Sequence, residues 1–185
     1  MKLHRAIVSS LTLLSLAACE QQTQEPATTL HEVMAGSIDP VADVIWHVSS
    51  KAYGEDGNAK AGVLADRDWA QIAKAARDLH DGAMIIANNP DIVVAAPGAK
   101  ILDEGKVAEA VTAVQVASYV ERDRPGLASH ARNLSAIALE IEAAAKAKNA
   151  AQTVKLSEDL DEVCETCHKR FWYPAQPTPP AVATP

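Results

Sequence analysis

The sequence predicts an all-α fold: an antiparallel up-down-up-down four-helix bundle, with an extra short helix or a long loop between helices 2 and 3. Three observations lead to this fold class. Apolar residues recur at helical spacing in four long stretches of the 185-residue chain. Alternating β-branched residues, which are typical of half-buried strands, are scarce. The last two stretches are separated by a very short turn, which makes them antiparallel neighbours in a bundle.

The first helix is predicted to run from about residue 29 to residue 51. Pro40 lies inside its apolar pattern and lacks a backbone N–H group, so it should kink or break the helix near Asp39. Asp39 is then predicted to cap a second helical segment. The apolar stripe of this helix, at i, i+3, i+4 and i+7 spacing, consists of Leu30, Val33, Met34, Ser37, Val41, Val44, Ile45 and Val48.

The second helix is predicted to begin at the N-cap residue Asp66 and to end at Asn88 and Asn89, because Pro90 cannot continue it. A loop is predicted over residues 91–105. Weak amphipathicity over residues 107–122 indicates the extra short helix. The face of the second helix that should enter the core carries Trp69, Ile72, Ala73, Ala76, Leu79, Ala83 and Ile86.

Arg124 and Pro125 mark the start of the third helix, since proline is favoured in the first helical turn. This helix should end near Asn149. The fourth helix is predicted from about residue 151 to residue 172, after the short turn. The inward residues of the third helix are Leu127, Ala131, Leu134, Ile137, Ile141 and Ala144, and those of the fourth are Leu156, Leu160, Val163 and Cys167.

The chain begins with a sequence typical of export. Residues 1–5 include Lys2 and Arg5, and residues 6–18 are apolar apart from serines and a threonine, which is the pattern of a signal peptide and not of a membrane span. Residues 16–19 resemble a bacterial lipobox, which would make Cys19 the lipidated first residue of the mature protein. An ordinary cleavage site that happens to precede a cysteine is the alternative. Glu20 follows, and by resemblance to sorting signals it mildly favours the outer membrane.

Four segments follow from these patterns. Residues 1–18 form the signal peptide, and residues 19–27 form a polar, lipidated tether. Residues 28–173 form the helical domain, which is long enough for one core. Residues 174–185 form a Pro-rich tail, which cannot bury a core and is predicted to be disordered.

The most specific motif is Cys164-Glu165-Thr166-Cys167-His168, near the end of the fourth helix. The spacing Cys-x-x-Cys-His is the attachment signature of c-type haem. Each thiol would form a thioether with a haem vinyl group, and the histidine would bind the iron. Aromatic residues make up only 4% of the chain, so a bundle of alanine and valine has room for such a cofactor.

Three other chemistries use a pair of cysteines at this spacing. They are a disulfide, half of a zinc site and a thioredoxin-like redox pair. Zinc would require further cysteines or histidines at ligand spacing, and a thioredoxin pair would require a βαβ context; the sequence indicates neither. If Cys19 carries lipid and the other two cysteines carry haem, none of the three cysteines remains for a disulfide.

The chain is acidic, with a formal net charge of −7, and it becomes more negative when Lys2 and Arg5 leave with the signal peptide. An acidic surface argues against nucleic acid as a partner, since phosphate backbones are bound by basic patches. It favours a basic redox partner, although plain solubility explains the same charge. Serines are scattered without a Ser/His/Asp spacing or a nucleophile elbow, so no hydrolytic enzyme is predicted.

From Leu30 to Tyr173 the chain resembles the class II c-type cytochromes, the cytochrome c′ and cytochrome c556 group. The resemblance lies in the predicted bundle and in the haem motif near the end of its last helix. Phe171 matches an aromatic residue that many members carry three residues after the haem histidine, whereas Trp172 stands where an arginine often follows. The resemblance implies one covalent haem c attached outside the cytoplasm, with His168 as the proximal iron ligand, in a periplasmic protein that often forms a homodimer.

The resemblance leaves the sixth iron ligand open. Low-spin members of the family take a methionine from the first helix, which points to Met34. A core methionine that fills a gap is the alternative. Met84 and His130 should reach the same level of the bundle, and so should His31, one turn from Met34. Two more histidines are not expected to bind the iron: His80 flanks the apolar stripe of its helix, and His47 lies too far along the first helix to reach the haem. Trp172 and Tyr173 are expected to cover the haem edge. Trp46 and Trp69 are expected to pack at the end of the bundle away from the haem.

Three functions remain open at this level. The first is a membrane-tethered electron-transfer cytochrome with His168 and Met34 as axial ligands. The second is a gas-binding protein with five-coordinate haem, which would take nitric oxide or carbon monoxide. The third is a structural lipoprotein without a cofactor, in which the cysteine motif is accidental.

Overall fold

The computed structural model describes residues 28–54, 59–60, 62–102, 104–106 and 110–173. The predicted signal peptide, Cys19 with its tether, and the Pro-rich tail lie outside these residues. Of the described residues 73% are helical and none forms a strand, so the all-α prediction is confirmed. None of the helices within these ranges is long and apolar enough to cross a membrane.

Six α-helices, a π-helical turn and a short 3₁₀ turn make up the described part of the chain. They are α1 (Leu30–Val33), the π turn (Met34–Ile38), α2 (Asp39–Ser49), the 3₁₀ turn (Ser50–Ala52), α3 (Asp66–Ala87), α4 (Ala113–Arg122), α5 (Arg124–Lys146) and α6 (Ala150–Phe171).

The longer helices pack around one core. Helix α3 lies against α2 and α5, and α6 lies against α2 and α5, while α4 contacts α5 and α6. Five helices therefore pack together. The largest side chains at the centre are almost completely shielded from solvent, and they include Ile38, Ile45, Ile72, Leu79, Ile141 and Leu160.

The first predicted helix is interrupted where Pro40 required it. The break is a π-helical turn, Met34–Ile38, in which the backbone N–H of Asp39 donates to the carbonyl of Met34. The prediction that Asp39 caps a second segment was wrong. Asp39 is the first residue of α2, and Ile38 before it is itself helical. The chain stays helical through the turn, and no side chain forms a cap hydrogen bond at the start of α2.

The π turn also shifts the apolar stripe. The prediction placed Met34, Ser37, Val41 and Val44 on it, but all four are only half-buried. A π turn contains one residue more than an α-helical turn, so the positions that face the core are displaced by one residue across it. Val33 and Ile38, which are both buried, are accordingly five residues apart. The buried apolar residues of the first helical segment are Leu30, Val33, Ile38, Ala42, Ile45 and Val48.

The start of α3 differs from the prediction in its cap. Asp66 is not the N-cap; Ala65 occupies that position. The third residue of the helix, Asp68, reaches back and accepts a hydrogen bond from the backbone N–H of Ala65 at 2.9 Å. Asp68 also pairs with Lys51 at 3.1 Å. The backbone bond and this cation hold the pKa of the Asp68 carboxyl below its ordinary value.

The other helices follow the predicted pattern with shifted ends. The stripe of α3 is buried except for Ala73, which is half-buried, and the helix ends at Ala87 as expected. Helix α5 begins at Arg124 but ends at Lys146, and the extra helix α4 begins only at Ala113. On α6, Leu156 and Leu160 are buried, whereas Val163 and Cys167 are half-buried.

The long connection between α3 and α4 supports the first helix. Its apolar side chains Ile92, Val94 and Ile101 are buried. Its backbone carbonyls at Val93 and Val94 accept hydrogen bonds of 2.8 and 2.9 Å from the N–H groups of Leu30 and His31. These donors stand at the start of α1, where no intrahelical partner exists. The connection therefore caps α1, a role for which the sequence offered no account.

A buried carboxylate joins α3 to α5. Glu142 of α5 is 6% exposed. Its carboxylate lies 2.6 Å from Lys146 Nζ and forms an ion pair with Arg77 of α3. The hydrogen bond from Lys146 and the neighbouring guanidinium hold the pKa of the Glu142 carboxyl below its ordinary value.

Glu142→Gln is expected to lower the free energy of unfolding by about 1–2 kcal/mol, which exceeds the contribution of an exposed pair because this carboxylate is buried. The pKa is lowered in the folded state, so the contribution is complete above the ordinary value of 4.5 and disappears as pH falls through the folded-state value. Urea unfolding across the acidic range measures both effects. Glu140→Gln, on the exposed side of α5, is the matched control, and equal losses in the two variants would contradict the prediction.

Candidate functional site

The three residues of the cysteine motif lie together in the last turns of α6. Cys164, Cys167 and His168 fall within about 100° around the helix axis, so they share one face. All three are half-buried, and both thiols are free rather than joined in a disulfide. The two cysteines pack against the hydrophobic core. The motif thus places two thiols and an imidazole at the boundary between the core and the surface.

The thiols lie in a low-dielectric environment. Burial raises the pKa of Cys164 to about 12, with smaller contributions from Cys167, Asp161 and Asp39. Burial also raises the pKa of Cys167 to about 11. Both side chains are therefore neutral thiols at physiological pH, and they are poor nucleophiles and poor metal ligands until they are deprotonated.

Aromatic side chains stand at the end of α6 beside the histidine. The backbone N–H groups of Trp172 and Tyr173 both donate to the carbonyl of His168, at 2.8 and 2.9 Å. Their rings lie 6.5 and 5.9 Å from the imidazole ring, centroid to centroid. The Tyr173 hydroxyl binds the carboxylate of Glu165. The two rings expected to border the site are therefore next to His168.

Phe171, three residues after His168 and four after Cys167, lies on the same face of α6 as the motif. It is buried, and His130 of α5 meets it edge-on with ring centroids 5.8 Å apart. His130 also lines a groove between α5 and α6, of about 250 Å³. The α6 residues that line this groove, Val163 and Thr166 among them, are about 120–180° around the helix from His168. The imidazole of His130 thus lies between this groove and Phe171, and at Phe171 it meets the face of α6 that carries the motif.

A polar junction holds the end of α6 against the start of α5. Asp123 caps α5 by accepting from the backbone N–H of Gly126 at 3.0 Å, and it accepts from Arg170 Nε at 2.7 Å. The Arg170 hydrogen bond is the largest of the effects that hold the pKa of the Asp123 carboxyl below its ordinary value. A Cβ on residue 126 would meet Asp123 Oδ2 at 1.9 Å. Only glycine therefore fits beside this carboxylate.

The start of α2 faces the cysteine motif. Partial burial raises the pKa of the Asp39 carboxyl, and the positive potential of His168 opposes that rise. The Asp39 charge in turn contributes to the raised pKa of Cys164. Such mutual influence requires the groups to be near one another, since charge interactions fall with distance and are screened by solvent. Asp39, predicted only as a helix cap, thus belongs to this site.

Met34 lies one π turn before Asp39. Its carbonyl accepts the hydrogen bond from the Asp39 N–H, so the two residues are on the same side of the helix. The side chain is half-buried and packs against the core. No Cα of the π turn lies within 8 Å of a Cα of α6, although α2 approaches α6 more closely. The backbone of Met34 therefore does not pack directly against α6, and Met34 is linked to the site through its hydrogen bond with Asp39.

The other candidate ligands have different surroundings. His80 Nδ1 is 2.7 Å from the hydroxyl of Ser135, which joins α3 to α5. His47 is exposed, and Met84 is half-buried near the end of α3. His31 is half-buried and influences the pKa of Asp39, so it also lies near the site.

The tryptophans expected at the far end lie away from the motif. Trp46 Nε1 donates to the carbonyl of Ser157 at 2.9 Å. Ser157 lies about 16 Å from His168 along the axis of α6, at a rise of about 1.5 Å per residue. Trp69 is buried in the first turn of α3. In the described part of the chain, no three His, Cys, Asp or Glu side chains converge on a point that could hold a metal ion.

No family model matches the chain, and neither a curated protein nor a solved structure matches it.

The raised thiol pKa values make a prediction for protein that is produced without its signal peptide, where no cofactor is attached. In a Cys19→Ala background, alkylation of Cys164 and Cys167 by iodoacetamide should be roughly tenfold or more slower in the folded chain than in urea, because burial suppresses the thiolate. Labelling rates followed by mass spectrometry measure this. Equal rates in the folded and the unfolded chain would show that the thiols are not buried as described.

Proposed function

We propose that this protein is an exported, membrane-tethered c-type cytochrome that carries one covalently attached haem c and acts in electron transfer. The observation that carries the proposal is the face of α6 on which Cys164, Cys167 and His168 lie together. The thiols are free, half-buried and one turn apart, and the histidine follows directly. This donor set suits a covalently attached haem.

Each residue has a distinct part in this proposal. Cys164 and Cys167 would hold the haem through thioethers, and His168 would be the proximal axial ligand. When bound, the haem supplies one-electron redox chemistry at its iron. Trp172 and Tyr173 limit the access of water to His168, since their rings stand beside it. The Arg170–Asp123 junction keeps the end of α6, and with it the motif, fixed against α5.

The proposed scaffold is an antiparallel up-down-up-down bundle of α2, α3, α5 and α6. Each of these helices contacts two of the others, so that the contacts close into a ring. Only residues 147–149 separate α5 from α6, a connection short enough to make them antiparallel neighbours. Helix α4, which contacts α5 and α6, is the additional element.

Met34 is proposed as the sixth ligand of the iron. Its support is its place one π turn before Asp39, whose carboxylate lies near enough to His168 and Cys164 to interact with them electrostatically. His130 and His80 are less suited, because the ring of His130 packs edge-on against Phe171 and His80 is bonded to Ser135. A thioether ligand would stabilise the reduced iron and raise its potential.

The cellular setting is part of the same proposal. Cys19 would carry the lipid that tethers the protein to the membrane, with the domain in the periplasm. The partner would be a basic redox protein, since the chain has a net charge of −7 and charge complementarity accelerates encounter.

A haem stain on a denaturing gel tests the proposal most directly. Protein exported by a host that attaches c-type haem should stain, because thioethers survive denaturation. Cys164→Ser combined with Cys167→Ser should abolish the stain, because no thiol then remains to form a thioether with the haem. Wild-type protein that does not stain would overturn the proposal in favour of a structural lipoprotein.

Met34→Ala should convert a low-spin spectrum to a high-spin one, lower the potential and admit carbon monoxide, because it removes the ligand that occupies the sixth position. The fold should survive, because Met34 is only half-buried and its loss should cost less than the about 2–5 kcal/mol of a fully buried methionine. Met84→Ala, a half-buried methionine on α3, is the matched control and should keep the wild-type spectrum. A high-spin wild type would identify a gas-binding protein, and an unchanged Met34→Ala spectrum would place the ligand elsewhere.

A further inference from the structure

We infer that the π turn orients Met34 towards the cysteine motif, and that Gly82 of α3 is the positioning residue that allows the turn to form. The inference rests on the proposed function and extends it to residues outside the motif. It starts from the π turn Met34–Ile38, an unusual element that is frequent at functional sites.

The orientation of Met34 follows from helix geometry. In an uninterrupted α-helix, Met34 would lie about 20° from Ile45, at the centre of the buried stripe, and Val33 would lie about 120° from it, away from the core. The extra residue of the π turn rotates both by about 100°. This brings Val33 into the core, where it is 1% exposed, and leaves Met34 half-buried at the edge of the stripe.

The rotation moves Met34 to the side that faces α6. Trp46 lies about 100° from Ile45 in the same direction, and its indole N–H donates to the α6 carbonyl of Ser157. Asp39 lies about 120° from Ile45 in that direction and is influenced by the charge of His168. Met34, Asp39 and Trp46 therefore form one face of the first helical segment, and this face is directed at α6.

Gly82 lets the π turn pack closely against α3. It is a buried residue in the middle of α3, and it faces the turn directly. A Cβ at this position would lie 3.3 Å from Ile38 Cγ1, 3.4 Å from Ser37 Cβ and 3.6 Å from the Ser37 carbonyl oxygen. Ile38 is 1% exposed, so it cannot move without disturbing the core. Glycine costs helix stability in such a position, and the close approach of the π turn is the feature that requires it.

Gly36 provides a matched control. It lies inside the π turn, yet a Cβ there would meet nothing within 4 Å. Gly36→Ala and Gly82→Ala therefore add the same atom to the same region, and only the second addition presses against the turn. A difference between the two variants reports the contact rather than the loss of a glycine.

The experiment uses full-length, haem-loaded wild type, Gly82→Ala and Gly36→Ala. The readouts are the sulfur-to-iron charge-transfer band of the oxidised protein, the low-spin fraction, carbon monoxide binding and the melting temperature. All spectra are recorded at temperatures well below the unfolding transition of each variant. Gly82→Ala should lose the charge-transfer band and bind carbon monoxide, whereas Gly36→Ala should resemble the wild type. A merely structural role for Gly82 would lower the melting temperature and leave the band unchanged.

A compensating variant keeps the test decisive if Gly82→Ala alone does not fold. Ile38→Ala in the Gly82→Ala background removes the atom that a Cβ would approach most closely, and it should restore the band. If Gly82→Ala retains the band, or if the double variant folds without it, the inference is overturned. A wild-type protein without covalent haem would contradict the proposed function itself. A haem-loaded wild type without the charge-transfer band would contradict ligation by Met34. The two failures are therefore distinguishable from a failure of the inference on Gly82.

Discussion

Pro40 lacks a backbone N–H group, and the end of the bundle that carries the cysteine motif depends on this constraint. In a regular helix this residue would leave the carbonyl of Gly36 without a donor, and its ring would press against that carbonyl. The chain responds with a π turn, closed by a hydrogen bond from Asp39 to Met34. The turn displaces the apolar stripe by one residue, so that Val33 and Ile38 enter the core and Met34 and Asp39 share the side that faces α6. Gly82 completes the arrangement, because it leaves room for the turn against α3.

Segments outside the four long helices contact the same end of the bundle, namely the connection after α3 and the junction between α4 and α5. The connection after α3 supplies carbonyl groups to the first N–H groups of α1 and buries Ile92, Val94 and Ile101. Asp123, between α4 and α5, both caps α5 and binds Arg170 near the end of α6. Each contact satisfies polar groups at a helix end that would otherwise lack partners. The end of α6 that carries Cys164, Cys167 and His168 is thereby joined to the junction between α4 and α5, and α1 is joined to the connection after α3.

The electrostatics of the motif are consistent with a cofactor that forms covalent bonds to it. Burial raises the pKa values of both thiols, so the cysteines stay neutral and do not act as a redox pair of the low-pKa kind. The aromatic rings of Trp172 and Tyr173 border His168, and the carboxylate of Asp39 lies within its electrostatic reach. The proposed electron-transfer role would gain from such surroundings, because an iron shielded from water and held by two protein ligands would reorganise little on changing its oxidation state.

The sequence by itself determined the all-α class, the stripes of α3 and α5, the start of α5 at Arg124 and the position of the motif near the end of the last helix. These features depend on local periodicity, on proline and on residue spacing, which are legible along the chain. Only the tertiary structure decided that Ala65 and not Asp66 precedes α3 as its cap, that the connection after α3 caps α1, and that Met34 lies at the edge of its stripe and not at the centre. These outcomes depend on contacts between distant segments. A proline predicts a break in a helix, but its geometry depends also on the neighbouring helix. In this protein the π turn packs closely against α3 at Gly82.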